Sequence, residues 1–140
     1  MWWPWRRDEA RAGGLLDSGA LGRQGEKIAQ RFLRRGGWKI LADNYRCPEG
    51  EADLIALDPS TRKTSGRETI VFVEVKTRAA DGFAAPESAV DEAKRRHLRK
   101  IADYYLKSRD AAAYDLRFDV VSIVLAPGQE PKIKHIVNAF

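Results

Sequence analysis

The run Thr69-Ile-Val-Phe-Val-Glu-Val-Lys-Thr77 constrains this chain more than any other stretch. It is β-branched and aromatic, the composition of a buried strand, yet it carries Glu74 and Lys76 two residues apart. Side chains alternate along a strand, so Ile70, Phe72, Glu74 and Lys76 share one face, and Val71, Val73, Val75 and Thr77 share the other. A charge in apolar surroundings loses several kcal/mol of hydration unless a partner, a metal or a ligand compensates it. The pair either satisfies itself and water at a strand end, or it belongs to a site.

The preceding strand favours a site. Gly50-Glu-Ala-Asp-Leu-Ile-Ala-Leu57 is a second apolar run interrupted by an acid, with Asp53, Ile55 and Leu57 on one face. Residues 58–67 are turn formers and charges, which predicts a hairpin with a long exposed loop. Antiparallel pairing would set Asp53 beside Glu74. Two neighbouring carboxylates repel, and a hard divalent cation such as Mg²⁺ or Mn²⁺ holds them together most naturally. Lys76, one side-chain repeat further, could then orient a water or neutralise a phosphate. An acid followed by acid-x-Lys on the next strand has the form of a metal-dependent phosphodiesterase site.

A length of 140 residues suits one domain, and 44% hydrophobic with 32% charged residues is a soluble globular composition. The net charge of +5 favours an anionic partner. Nucleic acid, DNA before RNA, is the leading candidate because the basic residues cluster in two helical segments; a solvated basic surface is the alternative. The single cysteine, Cys47, excludes an internal disulfide and suits the cytoplasm. It has no Cys or His at ligand spacing and reads as a bystander. No apolar run approaches a membrane span, so no membrane partner is expected. Met1-Trp-Trp-Pro-Trp-Arg-Arg7 lacks the apolar core of a signal peptide. Trp2, Trp3 and Trp5 could stack on bases, but a flexible extension or a patch packed on the domain surface is the simpler reading. Residues 1–20 are taken as an arm and 21–140 as the single domain.

The first helix is expected from Leu21 to Arg35. Leu21, Gly25, Ile28, Ala29, Phe32 and Leu33 form its apolar stripe, and Arg23, Lys27, Arg31, Arg34 and Arg35 fill the opposite side. Glu26, the lone acid of this helix, sits at the stripe's border. It either pairs with surface cations at helical spacing or reaches over the sheet toward Asp53 and Glu74. Trp38 to Arg46 is the first strand, with Asp43-Asn44 allowing a bulge or bend. After the Glu74 strand, Arg78 to Ala85 is a loop where Thr77 and Arg78 could hold a phosphate.

A long helix is expected from Pro86 to Ser108, with Pro86 at its first position, acids early and bases late. Lys94 projects into its apolar stripe, either snorkelling or reaching the carboxylates, and His97 reads as a packed histidine. Leu116 to Leu125 is the fourth strand, parallel to the third through a right-handed crossover. Asp119 within it is expected to pair locally with Arg117. Lys132 to Val137 is a short edge strand on which His135 reads as exposed.

Several motifs follow one another in order: Gly22-x-x-Gly25-Glu26-x-x-Ala29, Asn44-Tyr-Arg46, Gly50-Glu-Ala-Asp-Leu-Ile55, Val71-Phe-Val-Glu-Val-Lys-Thr-Arg78, Ala89-Val90-x-x-x-Lys94, Arg117-Phe-Asp-Val-Val121 and Asn138-Ala-Phe140. Together they resemble the YraN family of small bacterial proteins over roughly residues 21–140. That family is similar to the PD-(D/E)XK nuclease superfamily, with Holliday-junction resolvases among its nearer relatives. The resemblance implies an α/β fold with a restriction-endonuclease-like αβββαβ core, a mixed sheet flanked by helices.

It also implies that Glu26, Asp53, Glu74 and Lys76 are the catalytic positions. Asp53, Glu74, Glu26 and the Val75 carbonyl would hold Mg²⁺ or Mn²⁺. Arg23, Lys27, Arg46, Arg78, Lys94 and Arg95 would grip the nucleic-acid backbone. The implied activity is endonucleolytic hydrolysis, on branched DNA in the nearest analogy, where junction cutting would favour a homodimer with two sites. The alternative is a non-catalytic nucleic-acid-binding factor of the same fold.

Overall fold

The computed structural model describes residues 18–80 and 91–140. Helix α1 (Ser18–Arg35) leads into strands β1 (Lys39–Cys47) and β2 (Gly50–Asp58). A 3-10 turn (Pro59–Thr61) and the four-residue helix α2 (Arg62–Ser65) precede β3 (Thr69–Ala79). Helix α3 (Glu92–Lys107), β4 (Asp115–Leu125) and β5 (Lys132–Ile136) complete the described chain. The strands form one five-stranded sheet in sequence order. Only β3 and β4 pair in parallel, joined by the segment containing α3; the other neighbours are antiparallel. This is the mixed, helix-flanked αβββαβ-like core that the sequence leads one to expect, with β5 added at the edge.

Local chemistry sets the element ends. At the end of α1, Gly36 and a left-handed Gly37 (φ 89°) let Trp38 N–H return to the Leu33 carbonyl at 3.0 Å. Residues 58–67 are not the open loop expected. Asp58 Oδ1 accepts from Ser60 N–H at 2.9 Å and Pro59 presets the first turn, so the segment winds into helical turns that end at Gly66. The second long helix starts later than Pro86. Asp91 is extended (φ −84°, ψ 178°) and its carboxylate caps Lys94 N–H at 3.0 Å, so α3 begins at Glu92. Pro86 itself, like the tryptophan-bearing arm, lies outside the described residues.

Two apolar layers sandwich the sheet. Ala29 and Leu33 of α1 pack with Leu54, Val71, Val73, Val75, Val121 and Ile123. On the other face Leu98, Ile101, Ala102 and Tyr105 of α3 pack with Ile55, Ile70, Phe72 and Phe118. Each fully buried Leu, Ile or Phe contributes about 1.5–3 kcal/mol. Cys47 is half-buried beside the α3 layer, without a disulfide.

A charged cluster is sealed beside the α1 layer. Asp119 pairs with Arg117 through two hydrogen bonds of 2.8 and 2.9 Å, as expected. Arg117 also reaches Asp58 at 3.1 Å. His135 is not the exposed edge residue anticipated. Its Nε2 lies 2.8 Å from Asp119 Oδ2, and its ring stands edge-on to Trp38 and Phe32. The chain end is tied to the same strand: Asn138 N–H donates to Asp119 Oδ1 at 2.9 Å, Ala139 N–H to the Phe118 carbonyl, and the Phe140 ring stacks on Phe118.

Candidate active site

At one end of the sheet the β2–β3 pairing stops at Leu54↔Val73. Continued by one rung, that register sets Asp53 across from Glu74. Asp53 does not continue a regular pleat. Ala52 packs in the α3 layer and Leu54 in the α1 layer although they are two residues apart, so the alternation resets between them. Across from this point in β1, Asn44 adopts a left-handed conformation (φ 48°), while the register shift of that strand falls between Ile40 and Ala42. The expected irregularity at Asn44 is thus a bend, and the bulge comes earlier. Asp53 Oδ2 accepts from the Val75 N–H at 2.9 Å, a side chain standing where a carbonyl would have continued the ladder.

Glu74 and Lys76 follow on β3, 3% and 6% exposed, with Lys76 Nζ 3.7 Å from Glu74 Oε1. In so dry a setting the ammonium offsets part of the cost of burying the carboxylate. The structure therefore puts Asp53, Val75, Glu74 and Lys76 together at the diverging end of two strands.

Glu26 comes from another direction. Helix α1 lies on the Val71-Val73-Val75 side and touches β3 at Thr77 through Gly25. A Cβ at Gly25 would collide with Thr77 Oγ1 and stand 2.8 Å from the Thr77 Cβ, so only glycine permits this approach. Glu26, the next residue, is buried. Among the described residues no group of three or more acid, histidine or cysteine side chains is arranged to hold a metal ion. Gly25→Ala is expected to destabilise by about 1–3 kcal/mol in urea unfolding. The penalty should shrink in a Thr77→Ala background, which removes the colliding hydroxyl and methyl. Equal penalties in both backgrounds would refute this account of the contact. Sequence reading placed Gly25 on the apolar stripe but missed its contact role; a glycine facing the core of a helix was the available signal.

The donor set suits a hard cation. Two carboxylates and a main-chain carbonyl are oxygen ligands of the kind Mg²⁺ and Mn²⁺ take. Mg²⁺ is commonly held by one or two carboxylates, its remaining positions going to water and phosphate. The Asp53–Glu74 pair fits that mode without a third acid.

The candidate phosphate-binding cations are placed unevenly. Arg23 and Lys27 are exposed on α1. Arg46 is exposed but ion-paired with Glu51 at 3.1 Å. Arg78 and Lys94 are half-buried. Arg95 lies over the Phe140 ring, 5.5 Å from its centroid, and 3.8 Å from Glu92, so it is turned toward its own protein. His97 is half-buried, in keeping with a packed histidine.

Sequence comparison places this architecture among known chains. The profile of the uncharacterised protein family UPF0102 matches residues 25–123. A UPF0102 protein of Nocardia farcinica is 44% identical over 124 residues, covering 89% of this chain and 91% of the relative. UPF0102 proteins of Caldanaerobacter subterraneus and Geobacter metallireducens are 43% and 42% identical, covering 86% and 89% of this chain and 93% and 95% of their own lengths. The matched span contains Glu26, Asp53, Glu74, Lys76 and Lys94.

Proposed function

We propose that this chain, which belongs to the UPF0102 (YraN) family, is a metal-dependent endonuclease that hydrolyses nucleic-acid phosphodiester bonds. One observation carries the reading: two acids and a lysine are buried together where β2 and β3 diverge, with Asp53 fixed on the Val75 N–H. Buried charges at a strand end serve no packing purpose that apolar residues would not serve better. Among the described residues no helix is long and apolar enough to cross a membrane.

In this reading Asp53, Glu74 and the Val75 carbonyl would hold Mg²⁺ or Mn²⁺, and Glu26 would complete the shell or hold a second ion. When bound, the ion lowers the pKa of a water and stabilises charge on the scissile phosphate. The Val75 N–H holds Asp53 in one rotamer, so the acceptor geometry exists before substrate arrives. Lys76, released from Glu74 when that carboxylate takes other partners, places its ammonium against the charge that builds on the phosphoryl oxygens. Water oxygen bonds to phosphorus and gives up one proton to solvent, one ester P–O bond breaks, and the alkoxide leaving group takes up a proton from solvent. Phosphate contacts from the basic side chains supply affinity that falls with salt and carries little sequence information.

The test compares wild type with Glu74→Ala on labelled linear, single-stranded, flapped and four-way DNA and on RNA, with Mg²⁺, Mn²⁺ or EDTA. Metal-dependent cleavage that vanishes in the variant is expected, and the best substrate identifies the preferred shape. A second reading, a non-catalytic nucleic-acid-binding factor, is favoured by the Lys76–Glu74 pair, in which the buried acid already has a counter-charge. Binding without cleavage, unchanged by Glu74→Ala, would select it.

A further inference from the structure

The cations of α1 and α3 are used differently. Residues advance roughly 100° each along a helix, so Arg23, Lys27, Arg31, Arg34 and Arg35 fall within an arc of about 120°. All five are exposed. The centre of that arc lies opposite the stripe of Ala29 and Leu33 that packs on the sheet. The only acid of the helix, Glu26, is buried on another side, so the outer arc carries no negative charge. Lys27, Arg31, Arg34 and Arg35 have no ion pair among the described residues.

Helix α3 contrasts. Its exposed cations share their arc with Glu92 and Asp103. Glu92 draws in Arg95 and Arg96 at 3.8 and 3.9 Å. Four like charges on one exposed arc, Lys27, Arg31, Arg34 and Arg35, repel one another and persist at a cost in stability unless a polyanion neutralises them.

We infer that the outer face of α1, from Arg23 to Arg35, is the track on which the nucleic-acid backbone lies, and that α3 is not. This rests on the proposed nucleic-acid activity and assigns it a surface. Arg23 through Arg35 span about 18 Å at 1.5 Å per residue, with steps of about 6 Å between Arg23, Lys27 and Arg31. The contact of Gly25 with Thr77 fixes the Arg23 end of the track beside the strand that carries Glu74 and Lys76. The contacts are charge on phosphate, so the surface reads backbone and not sequence.

The test measures equilibrium binding to duplex, single-stranded and four-way DNA across a salt series in EDTA, so that no cleavage intervenes. One variant carries Lys27→Gln, Arg31→Gln, Arg34→Gln and Arg35→Gln; a second carries Arg96→Gln, Arg99→Gln, Lys100→Gln and Lys107→Gln. For duplex the α1 set should reduce the slope of log K against log salt by about 3–4, at roughly 0.9 per lost phosphate contact, and the α3 set by less than about 1. A third variant, Arg31→Lys with Arg34→Lys and Arg35→Lys, keeps the charge and should keep the slope; far-UV circular dichroism checks that each set folds. Salt-dependent wild-type binding with an unchanged slope in the α1 set, or an equal loss in the α3 set, overturns the track and leaves the nuclease reading standing. A wild type without salt-dependent affinity for any of these nucleic acids overturns both.

Discussion

Replacing Asp119 with alanine is expected to destabilise the fold by about 3–5 kcal/mol, the usual cost of leaving a buried ion without its partner. Asp119 is fully buried and accepts from Arg117, His135 and the Asn138 N–H together. Its removal would leave the Arg117 guanidinium with Asp58 alone and take the anchor from the chain end. Burial by itself would raise the Asp119 pKa, but the hydrogen bonds from His135, Arg117 and Asn138 outweigh it and hold the carboxyl below its ordinary value. The same carboxylates act on Arg117 in the other sense: burial would lower its pKa, while Asp119 and Asp58 hold it above the usual arginine value.

An unfolded aspartate titrates near pH 3.9 or so. Because the folded carboxyl binds its proton less readily, its contribution is complete above that value and is lost as pH falls through the lower folded pKa. Urea unfolding from pH 7 to pH 2 should therefore show the gap between wild type and Asp119→Ala narrowing only at the acid end. A gap that stays constant throughout, or a destabilisation below about 1 kcal/mol, would show that the cluster is not the tie its geometry suggests.

The second large effect is expected at Asp53→Asn. The asparagine side-chain oxygen can still accept from the Val75 N–H, so the local hydrogen bond and the fold should survive. What disappears is the charge. On the proposed reading, wild type gains thermal stability as Mn²⁺ is added, by about 2.7 kcal/mol at a hundred times the dissociation constant, and the variant gains none. Cleavage should fall on the order of 100- to 1000-fold, the scale on which enzymes lose rate when one stabilising group is removed. Identical Mn²⁺ responses in the two proteins would take Asp53 out of the metal site; a variant that no longer folds would make the Val75 bond, and not the charge, its main role.

Much of this was legible in the chain because period and composition agreed. The β-branched alternation of Thr69–Thr77 gives a central strand, and the apolar run at Gly50–Leu57 gives its antiparallel neighbour. The helical stripe packs through Ile28, Ala29, Phe32 and Leu33 as its spacing requires. The rest depended on contacts between residues distant in sequence. His135 sits in a polar, lysine-rich strand that reads as exposed, yet Asp119, Trp38 and Phe32 enclose it from three other places in the chain. The start of α3 was a contest between two capping signals, Pro86 and Asp91, and Asp91 stands extended with its carboxylate on Lys94 N–H. Glu26 was expected to join Asp53 and Glu74, and helical period alone cannot say how far over the sheet's end a side chain reaches. The reset of the pleat at Asp53 had no local signal beyond Asn44 across from it.

The two outer strands of the sheet carry a further consequence. β1 is broken by a register shift after Ile40 and bent at Asn44, and β5 is five residues long with Lys132 and Lys134 exposed. Twist, brevity and lysine are the devices by which sheet borders resist being extended by a neighbouring chain. Among the described residues neither border offers a straight template for another strand. A twofold assembly cutting two strands at once would then be built on helical or loop surfaces, with the two sheets kept separate.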